Sequence, residues 1–166
     1  MSLAGQRWLL CSSRGERFGL ELRWVRQIDY RPAVLPLPTA VPPLTGLLYW
    51  RGRQVPALSL DWLLGHPPSP ERQAALMLEV EGRPMGLLVG EVGETMEVDR
   101  QGLFGIDGSV ADRAGLVTEA FRSGQDLVFR LNVERLVPAA AAGDAPASQS
   151  EQHEKSDSTH QREVPK

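Results

Sequence analysis

The sequence is dominated by short runs in which apolar and polar residues alternate, and turns that contain glycine separate these runs. A period of two places every second side chain on the same face of a strand, so each run predicts a half-buried β-strand. The clearest runs are Phe18–Leu22, Ala74–Val80 and Leu127–Leu131. Turn signals recur at short intervals, at Arg14-Gly15, Arg51-Gly52, Glu81-Gly82 and Ser123-Gly124. Many short strands with glycine turns and almost no helical period predict an all-β architecture, closed or sandwiched.

Two of the predicted strands continue into a single apolar helical turn. Val55–Leu60 leads into a turn that begins at Asp61, and Leu127–Leu131 leads into one that begins at Asn132. Asp and Asn are common at helix N-termini, so we expect both residues to cap these turns. A hairpin with an aromatic residue and a glycine precedes each unit. The two similar units predict two small, related β-subdomains that pack together.

The composition changes abruptly at Pro138. From there to Lys166 the only large apolar residue is Val164. Such a segment cannot bury enough apolar surface to offset the entropy cost of ordering it. Hydrophobic residues make up 42% of the whole chain, which is enough for a core in the part that precedes it. We therefore expect a folded domain over residues 1–137 and a disordered polar tail over residues 138–166.

The predicted folded domain is nearly neutral, with 15 arginines against 16 acidic residues. This balance gives no electrostatic reason to expect nucleic acid or an anionic membrane as the partner. A small β-barrel that binds nucleic acid stays as an alternative interpretation, because such barrels share short strands and glycine turns. It requires a basic groove with exposed aromatic residues, and salt-dependent binding to single-stranded DNA would discriminate it.

No arrangement of residues in the sequence predicts catalysis. His66 lies in a proline-rich loop, whereas His153 and His160 lie in the predicted tail, so the histidines cannot converge on a metal. Cys11 is the single cysteine and stands in an apolar run, which predicts a buried core residue. No serine stands in a nucleophile-elbow pattern. We therefore expect no enzymatic activity, no metal site and no cofactor.

The chain is predicted to be cytoplasmic. Its first residues show neither a basic region nor a long apolar run, so no signal peptide is expected. Residues 32–50 lack charge but contain several prolines, which break helices and exclude a membrane-spanning one. Within this stretch, Ala33–Pro43 should lie extended over the surface.

Arg51 stands at a predicted hairpin tip, beside Gly52. From the residues alone it is either a solvated turn residue or a guanidinium that reaches a partner. In both cases the side chain should be exposed or paired, because burying an unpaired charge is costly.

Several segments together resemble the CheW family of chemotaxis coupling proteins. The resemblance extends from about residue 18 to residue 137, and Arg51-Gly52-Arg53-Gln54-Val55-Pro56 is its most specific part. The segments that carry it are Phe18–Leu22, Val25–Ile28, Pro43–Leu60, Gly86–Val92 and Leu127–Leu136.

The resemblance implies two SH3-like five-stranded β-barrel subdomains. It also implies a non-enzymatic adaptor that binds the regulatory domain of a CheA-type histidine kinase and the cytoplasmic tips of methyl-accepting chemoreceptors. The positions that match the family near those contacts are Val25, Gln27, Ile28, Leu47, Arg51, Gly52 and Val89.

The sequence also departs from the family pattern. Tyr49 and Trp50 replace the usual Asn and Leu, and Gln27 stands where the family often has Glu. Gly90 stands where Asp is usual, and Ser59 replaces the Asp before Leu60. The fold does not depend on these positions, but the partner surface does. The departures favour an accessory coupling protein of a pilus-motility or other alternative chemosensory system.

Overall fold

A computed structural model describes residues 5–71, 73–106 and 115–141 of the chain. The described residues form a mostly β structure with short helical turns, as the sequence predicts. Turns of 3-10 helix cover Leu22–Trp24, Arg100–Gly102 and Val133–Arg135. The α-helices are α1 (Leu60–Leu63) and α2 (Leu136–Ala141). The strands are β1 (Gln6–Ser13), β2 (Glu16–Glu21), β3 (Val25–Asp29), β4 (Leu35–Pro36), β5 (Leu44–Trp50), β6 (Arg53–Ser59), β7 (Ala74–Val80), β8 (Arg83–Val89), β9 (Glu91–Val98), β10 (Phe104–Gly105), β11 (Val117–Ser123) and β12 (Asp126–Leu131).

The strands form two sheets with the same internal order. The central sheet has the order β3-β7-β8-β6-β5-β4, and the terminal sheet has the order β9-β1-β2-β12-β11-β10. In each, five longer strands accompany one strand of two residues. Each sheet also contains one parallel pair of strands, which joins two antiparallel hairpins. This pair is β6 with β8 in the central sheet and β12 with β2 in the terminal sheet. The terminal sheet thus repeats the arrangement of the central one, and two of its strands come from the N-terminal hairpin β1–β2. This architecture confirms the prediction of two related β-subdomains.

The hairpin turns follow directly from their sequences. At the tip between β5 and β6, Arg51 and Gly52 have φ angles of 52° and 75°. Two successive left-handed residues make a type I′ turn, whose twist matches that of the flanking strands. The turn between β1 and β2 and the turn between β7 and β8 have the same form, with Arg14 and Glu81 as the first left-handed residues.

Strands β1 and β7 bury both of their faces, on different clusters. In β1, Leu9 and Cys11 enter a large core that the two sheets share, while Trp8 and Leu10 enter a cluster on the other face. In β7, Leu76 likewise enters the shared core, while its neighbours pack in a cluster of the central sheet alone. Strict alternation of apolar and polar residues is therefore lost in these strands, although the period of two persists.

The prediction of the helix caps was wrong for Asp61. The N-cap of α1 is Ser59, whose Oγ accepts a hydrogen bond from the Trp62 backbone N–H at 3.3 Å. Asp61 lies inside the helix and its carboxylate is buried. Asn132 does take the N-cap position of the 3-10 turn that precedes α2, but its side chain makes no capping hydrogen bond.

The predicted tail lies mostly outside the described residues. Helix α2 extends to Ala141 and so includes residues 138–141 of the predicted tail. Residues 142–166 lie outside the described part of the chain. The limits 1–137 and 138–166 therefore remain a prediction. In the ranges that are described, no helix has the length and hydrophobicity needed to span a membrane.

Candidate functional site

The tip of the β5–β6 hairpin presents Arg51 to solvent. The guanidinium Cζ lies 4.4 Å from the centroid of the Trp50 ring, which is the geometry of a cation–π contact. Trp50 itself is only 8% exposed and packs in the buried cluster of the central sheet. Arg51 is thus exposed, as expected for a hairpin tip, and lies against a fixed aromatic ring.

Gln27 contacts Trp50 from a strand at the opposite edge of the sheet. It lies on β3, the edge strand farthest in sheet order from β4, and its side chain is exposed. Its Oε1 accepts a hydrogen bond from the Trp50 indole Nε1 at 3.2 Å. The structure therefore brings together Gln27 and Arg51, two of the positions taken from the family resemblance, through Trp50.

Val25 and Ile28 lie on the same strand as Gln27 but are half-buried. In the pairing with β7 they stand opposite Leu78 and Leu76, and both side chains pack against the shared core. These residues have a structural role, and only part of each side chain is available to a partner.

Leu47 lies on the outer face of β5. It is half-buried, whereas its neighbour Leu48 enters the buried cluster of the central sheet. Leu35 stands next to it on β4 and is 55% exposed. Tyr49, two residues along the same face, is 75% exposed. An apolar strip thus leads along the outside of the hairpin towards its tip at Arg51.

Val89 does not belong to this surface. It ends β8 and is fully buried in the shared core, so its side chain cannot touch a partner in this conformation. The next residue, Gly90, donates its backbone N–H to the Ser12 carbonyl at 2.8 Å where the chain crosses between the sheets. A Cβ at Gly90 would lie 2.9 Å from that same oxygen. The close approach of β1 explains why this chain has glycine there.

Sequence reasoning did not find the polar cleft between the two sheets. Its lining includes Arg14, Arg17 and Asp61. Each of these groups has a partner: Arg14 donates to the Pro67 carbonyl, Arg17 pairs with Asp126, and Asp61 accepts three hydrogen bonds. The pairing gives these groups a structural role, which no local sequence signal could reveal.

The side chains with reactive or metal-binding potential in the described residues include Cys11 and His66. Burial raises the pKa of the Cys11 thiol to about 12, which keeps it protonated and unreactive at neutral pH. Among residues 5–71, 73–106 and 115–141, no group of three or more His, Cys, Asp or Glu residues is placed to hold a metal ion. His66 is exposed in its loop, and the two other histidines lie outside the described residues.

Comparison with known proteins agrees with this architecture. A CheW-like domain matches residues 7–141. The fold is similar to the crystal structure of the scaffolding protein TtCheW from Thermoanaerobacter tengcongensis, with a TM-score of 0.71 and 16% sequence identity. That alignment covers 77% of this chain and 89% of TtCheW. No curated protein matches the sequence. The match over nearly all of the described residues shows that this chain belongs to the family of CheW-like domain proteins.

Proposed function

We propose that this protein is a non-enzymatic adaptor that couples chemoreceptors to a CheA-type histidine kinase in a bacterial chemosensory array. The observation that carries the proposal is the CheW-like domain match, which spans residues 7–141. The similarity in fold to a protein described as a scaffold supports the same role. We place the adaptor in the cytoplasm, recruited to receptor arrays at the membrane.

The surface around the β5–β6 hairpin is the proposed binding site for the kinase regulatory domain and for the receptor tips. It combines an exposed guanidinium with an apolar strip, and interfaces are enriched in arginine and aromatic side chains at their centres. Val89 supports the site from the core and does not touch the partner. The surface positions are Val25, Gln27, Ile28, Leu47, Arg51 and Gly52.

Reconstitution tests the coupling role. The purified protein is added to a CheA-type kinase and a chemoreceptor from the same organism, and kinase autophosphorylation is measured. We expect the protein to change kinase activity only when the receptor is present, and to turn over no ATP by itself. ATP hydrolysis by the isolated chain, abolished by one substitution in it, would contradict the proposal.

Arg51→Ala tests the surface. Because the side chain is exposed, the variant should melt like the unaltered protein but bind at least ~10-fold more weakly, or about 1.4 kcal/mol. Arg14→Ala is the control for binding, since Arg14 has a φ of 53° at the same position of a type I′ turn. Because Arg14 also donates to the Pro67 carbonyl, the two variants are compared in binding and not in melting temperature. Equal binding by both variants would mean that Arg51 is only a turn residue.

Substitutions of Leu47 and Leu48, which are neighbours on β5, distinguish an effect on binding from an effect on folding. We expect Leu47→Ala to cost some stability, because Leu47 is half-buried. Since Leu47 is half-buried and Leu48 is buried, Leu48→Ala should cost about 3 kcal/mol and Leu47→Ala clearly less. Leu47→Ala should instead weaken partner binding, which a pull-down with receptor fragments measures.

The nucleic-acid alternative is tested by titration of single-stranded DNA at two salt concentrations. Because residues 1–137 are nearly neutral in charge, we expect the protein not to bind single-stranded DNA. Tight binding that weakens steeply with salt would favour the alternative.

The pathway is a separate question. The departures at Gln27, Tyr49 and Trp50 support a pilus-motility or other alternative chemosensory system. Deletion of the gene, followed by assays of twitching and of swimming, tests this assignment, and a defect in swimming alone would contradict it.

A further inference from the structure

We propose that Gln27 is a specificity-determining residue, which fixes the Trp50 indole under Arg51 while leaving the guanidinium free for a carboxylate of the partner protein. This inference rests on the proposed function of the hairpin surface. Gln27 and Trp50 both depart from the family pattern and contact each other, since Trp50 donates its indole N–H to the Gln27 side chain.

The indole ring of Trp50 is held in one position. Trp50 packs in the buried cluster with Leu48 and Val55, so the ring has little freedom to rotate out. Its N–H needs an acceptor, because a donor removed from water without a partner is costly. Gln27 supplies that acceptor from β3, a strand that does not pair with β5. The ring is thus held by packing on one side and by a hydrogen bond from another strand.

The guanidinium of Arg51 is available for a carboxylate of the partner. Among the described residues, Arg17, Arg23, Arg26 and Arg130 pair with carboxylates within the chain, whereas Arg51 has no such ion pair. Its contact is the face of the Trp50 ring, which leaves the N–H donors at its edge available. A guanidinium that already stacks on a ring loses less freedom when it binds a planar carboxylate with two parallel hydrogen bonds.

Gln27 carries no charge, and this matters for the neighbouring Arg51. A glutamate at this position could accept the same indole hydrogen bond, so it would hold Trp50 equally well. It would also add a negative charge within about one Debye length of Arg51 (~10 Å at 0.1 M salt), because both groups contact the same indole. That charge would compete with a carboxylate of the partner. A neutral amide provides the acceptor without this competition.

The test uses two substitutions that separate the acceptor from the charge. Gln27→Leu removes the acceptor and adds no charge, while Gln27→Glu keeps an acceptor and adds a charge. Gln101→Glu is the control, since it makes the same charge change at an exposed position in the 3-10 turn before β10. The melting temperature of each variant is measured, and Gln27→Leu should melt slightly lower because the indole N–H loses its acceptor.

The first readout needs no partner. In ¹⁵N-edited NMR spectra of the free protein, Gln27→Leu should shift the Trp50 indole N–H resonance upfield and increase the mobility of Arg51 Nε. Gln27→Glu should keep the indole proton hydrogen-bonded. An unchanged Trp50 resonance in Gln27→Leu would overturn the proposal, because Gln27 would then not fix the ring.

The second readout is binding, measured by calorimetry with a receptor-tip fragment and with a kinase regulatory domain from the same organism. Gln27→Leu and Gln27→Glu should each weaken binding to at least one fragment by about fivefold, and this effect should vanish in an Arg51→Ala background. If Arg51→Ala weakens binding but neither Gln27 variant does, the specificity role of Gln27 is wrong and the adaptor function stands. If the unaltered protein binds neither fragment, the adaptor function fails and the inference fails with it.

Discussion

The hydroxyl group of Ser13 donates a hydrogen bond to the buried carboxylate of Asp61, and this contact links the two sheets. Ser13 ends β1 of the terminal sheet, whereas Asp61 lies in α1, directly after β6 of the central sheet. The carboxylate also accepts from the Ser69 backbone N–H at 2.8 Å and from Gln73 Nε2 at 3.3 Å. A buried carboxylate is tolerated when its oxygens are satisfied in this way.

We expect Asp61→Ala to lower the free energy of unfolding by about 3 kcal/mol, because it leaves several donors without their acceptor. Ser13→Ala removes only one of these hydrogen bonds and should cost about 1 kcal/mol. Asp99→Ala is the control, since Asp99 is exposed and accepts from Gln101 N in a short turn. Denaturant unfolding of the three variants decides the matter. Equal losses for Asp61→Ala and Asp99→Ala would show that the link contributes nothing beyond an ordinary turn.

Asp61 also shows which features the sequence could predict. The strands and hairpins depend on neighbouring residues, so alternation and turns such as Arg51-Gly52 predicted them well. The role of Asp61 depends on Ser13, 48 positions away, which no local pattern reveals. The same limit applies at the candidate site. The exposure of Arg51 follows from its hairpin, but the contact of Gln27 with Trp50 arises only when β3 and β5 are brought together by folding.

The buried carboxylate of Glu21 connects the two hairpins of the terminal sheet. It lies at the end of β2 and accepts from Arg130 of β12 at 3.0 Å and from Arg23 at 2.9 Å. Arg130 also pairs with Glu119 at 2.9 Å. β2 and β12 are the parallel pair that joins the N-terminal hairpin to the C-terminal one. Glu21 therefore stabilises the contact on which completion of this sheet depends.

Glu21→Ala should cost about 2 kcal/mol, because Arg130 loses a buried, charge-assisted hydrogen bond and keeps only its pair with Glu119. Asp126→Ala is the comparison, because it breaks the more exposed pair with Arg17 and should cost less than about 1 kcal/mol. Urea unfolding at low and high salt measures both. A loss of under 1 kcal/mol for Glu21→Ala would contradict the structural role given to this residue.

Gly46 marks the closest approach of β4 to β5. A Cβ built at this position would collide with the carbonyl oxygen of Leu35, which belongs to the paired strand. We expect Gly46→Ala to cost about 2 kcal/mol through this overpacking. Urea unfolding of the variant measures this loss. Gly105→Ala in β10 should be neutral within about 0.5 kcal/mol, since nothing lies within 4 Å of the added Cβ. Equal stability of the two variants would mean that β4 can shift without cost.

Cys11 gives a pH dependence whose direction follows from its burial in the shared core. Desolvation raises the pKa of its thiol from an ordinary value of 9.0 to about 12. Below pH 9 both the folded and the unfolded chain hold the proton, so the residue adds no pH dependence. Between pH 9 and 12 only the unfolded chain releases the proton, which favours unfolding as the pH rises. The loss from this residue is at most about 1.4 kcal/mol per pH unit.

Other groups titrate in the same range, so the measurement must compare the unaltered protein with Cys11→Ala. Below pH 9 the unaltered protein should be the more stable of the two, because the smaller side chain leaves a cavity. Guanidinium unfolding at pH 8 and pH 10 should show that this advantage shrinks at the higher pH, since the variant has no thiol to ionise. At pH 8 a thiol reagent should react with the protein only after denaturant is added. Rapid reaction of the native protein, or an advantage that is constant with pH, would mean that Cys11 is not held in the dry core.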